Sequence, residues 1–165
     1  MKTLFIGGIK SGKSRLAENY ILQGSSNTKP YYLATCEFID AEMQERIQVH
    51  QQRRQNKFIT LEAPIKLFDT LQNCQQPVLV ECVSMWLNNL LYHQIPSADI
   101  LQELEAVMLL PVDLVLVHNE VGWGVIPDNP LARQFVDLSG KAAQIMGQGC
   151  EQVFFCSAGL QLRMK

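Results

Sequence analysis

The sequence has no uninterrupted apolar run near the roughly 18 residues that a membrane-spanning helix needs. Its amino-terminal stretch, Met1 to Gly7, ends in glycines before any signal-peptide apolar region can develop. These absences lead us to expect a soluble cytoplasmic protein. Charge of either sign is scarce: 14 Lys and Arg stand against 16 Asp and Glu, a net charge of -2. That balance argues against a protein that grips nucleic acid by neutralising many phosphates. Cysteines are few and unpatterned. Cys36, Cys74, Cys82, Cys150 and Cys156 include no C-x-x-C pair and no histidine at zinc spacing, so reduced and mostly buried thiols are expected. Neither repeats nor low-complexity tracts are present.

What the sequence does have is alternation. Apolar runs of strand length occur at Lys2 to Ile6, Tyr31 to Thr35, Lys57 to Glu62, Pro77 to Cys82, Asp113 to Val117 and Gln152 to Cys156. Runs such as Val78-Leu79-Val80 and Leu114 to Val117 do not alternate with polar residues, which suits strands buried on both faces of a parallel sheet. Helical patterning fills the intervals at Lys13 to Gln23, Asp40 to Arg54, Ile65 to Gln72, Met85 to Tyr92, Ala98 to Leu109 and Leu131 to Gly149. Strand and helix alternating along 165 residues predict one α/β domain spanning 1–165, with helices on both faces of a mostly parallel sheet. Ligands of such sheets bind beyond the carboxyl ends of the strands.

The first of those ends carries the strongest motif. Gly7-Gly8-Ile9-Lys10-Ser11-Gly12-Lys13-Ser14 fits G-x-x-x-x-G-K-[ST] between a strand and a helix. Glycines let the backbone curl so that successive N–H groups face phosphate oxygens, and the helix amino terminus adds its positive dipole end. Lys13 is expected against the β- and γ-phosphates and Ser14 on Mg²⁺, giving a P-loop NTPase-like (RecA-like) fold. Glu81 ends the fourth run, where a carboxylate is costly unless it serves a site, and is the second candidate metal-site residue. Glu62 ends the third run and is placed with the nucleotide-binding residues.

On the segment 40–54, Arg46, His50 and Arg53 stand at i, i+4 and i+7, which puts two guanidinium groups around one imidazole on a helix. Such neighbours favour the neutral, nucleophilic imidazole and can also clamp a triphosphate. The Asn119 to Pro127 segment follows a buried strand. Asn119 and Glu120 are candidate ligand contacts and Gly122 and Gly124 suggest a tight loop, although a purely architectural loop fits equally well. Trp86 and Trp123 are large flat groups that suit either stacking on a ligand or packing in a core or interface.

Beyond the phosphate loop, the residues resemble one family along nearly the whole chain. The match runs through Lys13-Ser14-Arg15 with Ala17-Glu18, Tyr32-Leu33-Ala34-Thr35, Asp40-Ala41-Glu42-Met43 leading to Arg46, Ile47 and His50, and Glu81-Cys82 through Trp86-Leu87 to Asn89-Leu90-Leu91. It continues with Asn119-Glu120-Val121-Gly122-Trp123-Gly124-Val125-Ile126-Pro127, then Arg133, Phe135, Asp137, Gly140 and Gln144. This pattern resembles the bifunctional adenosylcobinamide kinase/adenosylcobinamide-phosphate guanylyltransferase family of cobalamin biosynthesis. The resemblance implies phosphorylation of adenosylcobinamide by ATP or GTP, then transfer of GMP from GTP through a guanylylated histidine, with His50 at the matching position. It also implies a homo-oligomer, specifically a trimer. Glu81 stands where that family usually has aspartate, His118 where small residues are common, and Ala143 where asparagine is usual. Two other readings of the residues are a small-alcohol kinase without guanylyl transfer and a nucleotide-dependent switch.

Overall fold

A computed structural model describes residues 1–25, 28–37 and 55–165. The strands are β1 (Lys2–Gly7), β2 (Tyr31–Ala34), β3 (Ile59–Glu62), β4 (Val78–Glu81), β5 (Leu114–Asn119), β6 (Gln152–Ser157) and β7 (Leu160–Arg163). Among the described residues the helices are α1 (Lys13–Gly24), α2 (Leu67–Leu71), α3 (Val83–Tyr92), α4 (Ser97–Leu109) and α5 (Pro130–Gly149). All seven strands join one sheet in the order β3-β2-β4-β5-β1-β6-β7. Every pairing is parallel except that of β6 with β7. The predicted helix over 40–54, with Arg46, His50 and Arg53, lies outside the described residues.

The apolar runs explain why both sheet faces are covered. Leu4, Leu33, Val78, Val80, Leu114 and Leu116 point to one side, where Leu67, Trp86, Leu87, Leu104 and Leu138 from α2, α3, α4 and α5 pack on them. Phe5, Tyr32, Leu79, Val115, Val117 and Phe154 point to the other, against Ala17 and Ile21 of α1. Adjacent residues of one strand thus feed opposite cores, which is the pleat's period of two acting on a run with no polar member. A fully buried Leu or Phe side chain contributes about 1.5–3 kcal/mol, so this double-sided burial is the main source of the sheet's cohesion.

Three boundaries differ from expectation. Gln55–Lys57 form a turn of 3₁₀ helix, and β3 begins only at Ile59. The helix expected over Ile65 to Gln72 is limited to Leu67–Leu71, with the Glu103 carboxylate accepting the Phe68 N–H in its first turn. The strand β7 was not expected at all. It turns back from β6 through Ala158 (φ 51°) and Gly159 (φ 77°) and pairs antiparallel on the sheet's edge. The thiols are free as expected, but only Cys150 and Cys156 are buried; Cys36, Cys74 and Cys82 are half-buried. Among the described residues no helix is long and apolar enough to cross a membrane.

Candidate functional site

The phosphate loop leaves β1 in the sheet's interior, between β5 and β6. Its shape follows from close neighbours. A Cβ on Gly7 would lie 2.2 Å from the Cys156 carbonyl oxygen, and one on Gly12 would lie 2.9 Å from the Gly159 Cα. Gly12 also has φ 93°, a left-handed conformation that costs other residues about 1 kcal/mol or more. The turn after β6 completes the support, because the Gly159 N–H donates to the Ser11 carbonyl at 2.9 Å. Inside the loop Ser11 N–H donates to the Gly8 carbonyl at 3.2 Å, while Ile9 and Lys10 stand exposed, Lys10 with φ 57°. Gly12 caps α1 without a side chain, so the first N–H groups of that helix open toward the loop.

Lys13 is only 7% exposed, and its ammonium donates to the Gly8 carbonyl at 3.1 Å. A nearly buried ammonium at the start of α1 beside the open loop N–H groups is placed to meet an anion there. Ser14 Oγ donates to Glu81 Oε1 at 2.8 Å. The chain thereby joins the start of α1 to the carboxyl end of β4 across the intervening β5 and brings Ser14 and Glu81 together. A hydroxyl and a carboxylate at hydrogen-bond distance beside a phosphate loop are the hard oxygen donors that suit Mg²⁺.

Glu62 also ends a strand at this edge but is not brought to the loop. β3 lies four strand positions from β1, on the order of 19 Å at strand spacing. Its carboxylate is exposed. Glu62 thus stands apart from the phosphate loop, at the same carboxyl edge of the sheet.

Asn119 and Glu120 are brought to the loop. Asn119 ends β5 opposite Gly7, and the Glu120 N–H donates to the Gly7 carbonyl at 3.0 Å. Glu120 Oε1 accepts the Gly122 N–H at 2.7 Å, which folds the carboxylate back over its own turn. At the far end Asn129 caps α5 by accepting from Leu131 and Ala132, and Arg133 donates to the carbonyls of Pro127 and Asp128. Between these anchors the chain is exposed: Trp123 78%, Val125 95% and Ile126 78%. Trp123 stacks one face on Phe155 at 5.1 Å and 25°. Trp86, by contrast, is fully buried and donates its indole N–H to the Ile65 carbonyl at 2.8 Å, so of the two stacking candidates only Trp123 is accessible.

Two polar groups near this edge were given no role by sequence reasoning. Thr35 Oγ1 donates to the Cys82 carbonyl at 2.8 Å and accepts the Cys82 N–H at 2.9 Å, while buried Asn89 donates to the carbonyls of Thr35 and Pro64. Together they tie the ends of β2, β3 and β4 into one frame. His118, buried between Ser84 and Ser139, is the other. Burial pushes its imidazole down to about 4, with the Lys13 charge acting in the same direction against an opposing hydrogen bond at Ser139. Burial likewise pushes the Cys82 thiol up to about 12, helped by the neighbouring Glu81 charge, so that thiol stays protonated beside the site. His93 sits apart and pairs with Glu37 at the surface.

Comparison with known proteins agrees with this architecture. The KaiC-like protein PH0186 of Pyrococcus horikoshii OT3 superposes with a TM-score of 0.51 at 14% identity, over 93% of this chain and 69% of that one, a likeness of fold alone. The chain is 40% identical to the bifunctional adenosylcobalamin biosynthesis protein CobP of Pseudomonas aeruginosa, covering 100% of this chain and 98% of the relative. It is 32% identical to the bifunctional adenosylcobalamin biosynthesis protein CobU of Escherichia coli, covering the whole of both. The family model of cobinamide kinase / cobinamide phosphate guanyltransferase matches residues 3–164. With a phosphate loop, a facing carboxylate and full-length relatives in agreement, the chain belongs to the cobinamide kinase / cobinamide phosphate guanyltransferase family.

Proposed function

We propose that this protein phosphorylates adenosylcobinamide with ATP or GTP and then transfers GMP from GTP to the resulting phosphate, working in the cytoplasm as a single-domain enzyme. The observation that carries the reading is the phosphate loop with Lys13 buried beneath it and Ser14 bonded to Glu81, in a chain whose family match is full-length. In the first reaction the loop N–H groups and Lys13 hold the triphosphate and stabilise charge on the transferred phosphoryl group. Ser14 and Glu81 would hold Mg²⁺, which when bound neutralises charge on the β- and γ-phosphate oxygens. Glu120, fixed one residue beyond Asn119 beside Gly7, lies near enough to the loop to orient the acceptor hydroxyl.

The second reaction is assigned to His50 by its place in the sequence between Arg46 and Arg53. Its neutral nitrogen attacks the α-phosphorus of GTP, an N–P bond forms and pyrophosphate leaves. An oxygen of the corrinoid phosphate then attacks the same phosphorus, the N–P bond breaks and His50 is restored. The arginines compensate the negative charge at each displacement. A simple alcohol kinase would use this histidine only to bind phosphate, and a nucleotide switch would not need it; the family assignment favours the two-step enzyme. The exposed Trp123, Val125 and Ile126 support a subunit contact, in keeping with a trimer.

The test is intact mass after incubation with GTP and Mg²⁺. An acid-labile gain of one GMP in the native protein, absent from His50→Ala, is expected. A folded, GTP-binding protein that gains no mass would remove the covalent step.

A further inference from the structure

His118 is the next-to-last residue of β5 and is 1% exposed. Its ring spans two helices: Ser84 Oγ of α3 lies 3.1 Å from Nδ1, and Ser139 Oγ of α5 lies 3.0 Å from Nε2. Ser84 Oγ also accepts the Asn119 N–H at 2.7 Å. A serine hydroxyl has one hydrogen and two lone pairs, and Ser84 spends a lone pair on Asn119. The arrangement in which Ser84 gives its hydrogen to Nδ1, and the ring proton on Nε2 is donated to Ser139 Oγ, is the one that couples the ring's orientation to the Ser84 hydroxyl. The neutral ring that this uses is the form that burial favours.

The bonded chain ends at a functional place. Asn119 is held by Ser84 on one side, and the next residue, Glu120, is held by the Gly7 carbonyl on the other. Ser84 itself stands three residues after Glu81. We propose that His118 is a positioning residue of the nucleotide site, which orients Ser84 so that the Asn119–Glu120 backbone stays fixed against the phosphate loop. The inference rests on the nucleotide-site reading above. Nothing in it requires the ring to touch substrate or to change charge in the reaction.

The full chain labelled with ¹⁵N-histidine gives the first measurement, with His118→Gln identifying the signal. A ring protonated on Nε2 with Nδ1 accepting is expected at neutral pH; a proton on Nδ1, or an imidazolium, overturns the proposal. Kinetics with adenosylcobinamide and nucleotide give the second. The shorter amide of His118→Asn can take Ser84's hydrogen in place of Nδ1, whereas that of His118→Gln reaches toward Ser139. Expected turnover is within about threefold of native for His118→Asn, but roughly tenfold lower for His118→Gln and for Ser84→Ala, in keeping with what small misplacements cost. The double variant His118→Gln/Ser84→Ala should turn over no more slowly than either single one, while its loss in thermal midpoint exceeds both. Equal defects in the Asn and Gln variants, or rates that follow thermal midpoint alone, would leave His118 a packing residue. Should the native chain show no turnover with the corrinoid, the functional reading fails; the ring tautomer and fluorescent-GTP affinity of the same variants then decide this proposal.

Discussion

The phosphate loop and the Asn119–Pro127 loop leave neighbouring strands of one sheet, yet they are built in opposite ways. The first is fixed along its length. Gly7 and Gly12 have no room for a side chain, Lys13 is buried, and Ser14 reaches a carboxylate two strands away. The second is fixed only at its ends, by the Gly7 carbonyl and Ser84 on one side and by the Asn129 cap and Arg133 on the other. Between those anchors its apolar side chains face outward. The difference separates a loop held along its length from one held at its ends with apolar side chains left in water.

The comparison can be broken most severely at Lys13. Lys13→Met removes the charge that meets the phosphates, and nucleotide-dependent turnover should fall about 10²–10³-fold while the thermal midpoint changes little. Retained activity, measured as corrinoid phosphate formed, would end the claim that the first loop is the reaction's centre. Acid comes next, because the Ser84 anchor of the second loop is backed by His118, a titratable group buried in its neutral form. His118 titrates near 6.5 when unfolded and near 4 when folded, so the unfolded chain binds the extra proton between those values. Its contribution is complete above pH 6.5, shrinks as pH falls toward about 4 and changes no further below, about 3 kcal/mol in all. Urea unfolding at several pH values should show that slope in the native protein and a shallower one in His118→Gln.

The smallest effect belongs to the second loop. Trp123→Ala should change stability by no more than about 0.5 kcal/mol, since most of the indole is already in water. It should nevertheless raise the KM for the corrinoid or weaken subunit association, read by kinetics and by light scattering. If both stay native, the exposed loop is architecture only.

How far the sequence reveals this molecule follows the same division. Strands such as β4 and β5 could be read because runs such as Val78 to Val80 contain no polar residue, which suits burial on both faces; exposed β3 was legible only from its strand-length run. The seventh, Leu160–Arg163, alternates and is exposed throughout, so only its pairing with β6 makes it a strand. The phosphate loop was legible because its chemistry is local to eight residues, and Glu81 because a carboxylate at a buried strand end needs a reason. Glu62 reads as a nucleotide contact from its strand-end position alone; strand order, which no local pattern encodes, sets it on the edge strand β3, away from the phosphate loop. His118 stood out only as a departure from the family pattern, with no role assigned, since its serine partners lie 34 and 21 positions away. Trp86 is decided by Val83, Leu87 and Leu90, which share its buried helix face and mark it as core.

The contact between Gly159 and the Ser11–Gly12 backbone has a consequence for how the protein is made. The loop leaves the ribosome well before the turn that supports it. β1 likewise waits for β5 and β6 as its only strand neighbours. At about 5–20 residues per second the interval between Gly7 and Gly159 is on the order of 10–30 s. Until its end the nascent chain carries a complete motif without β6 and the supporting turn, and nucleotide binding should begin only once Gly159 has emerged.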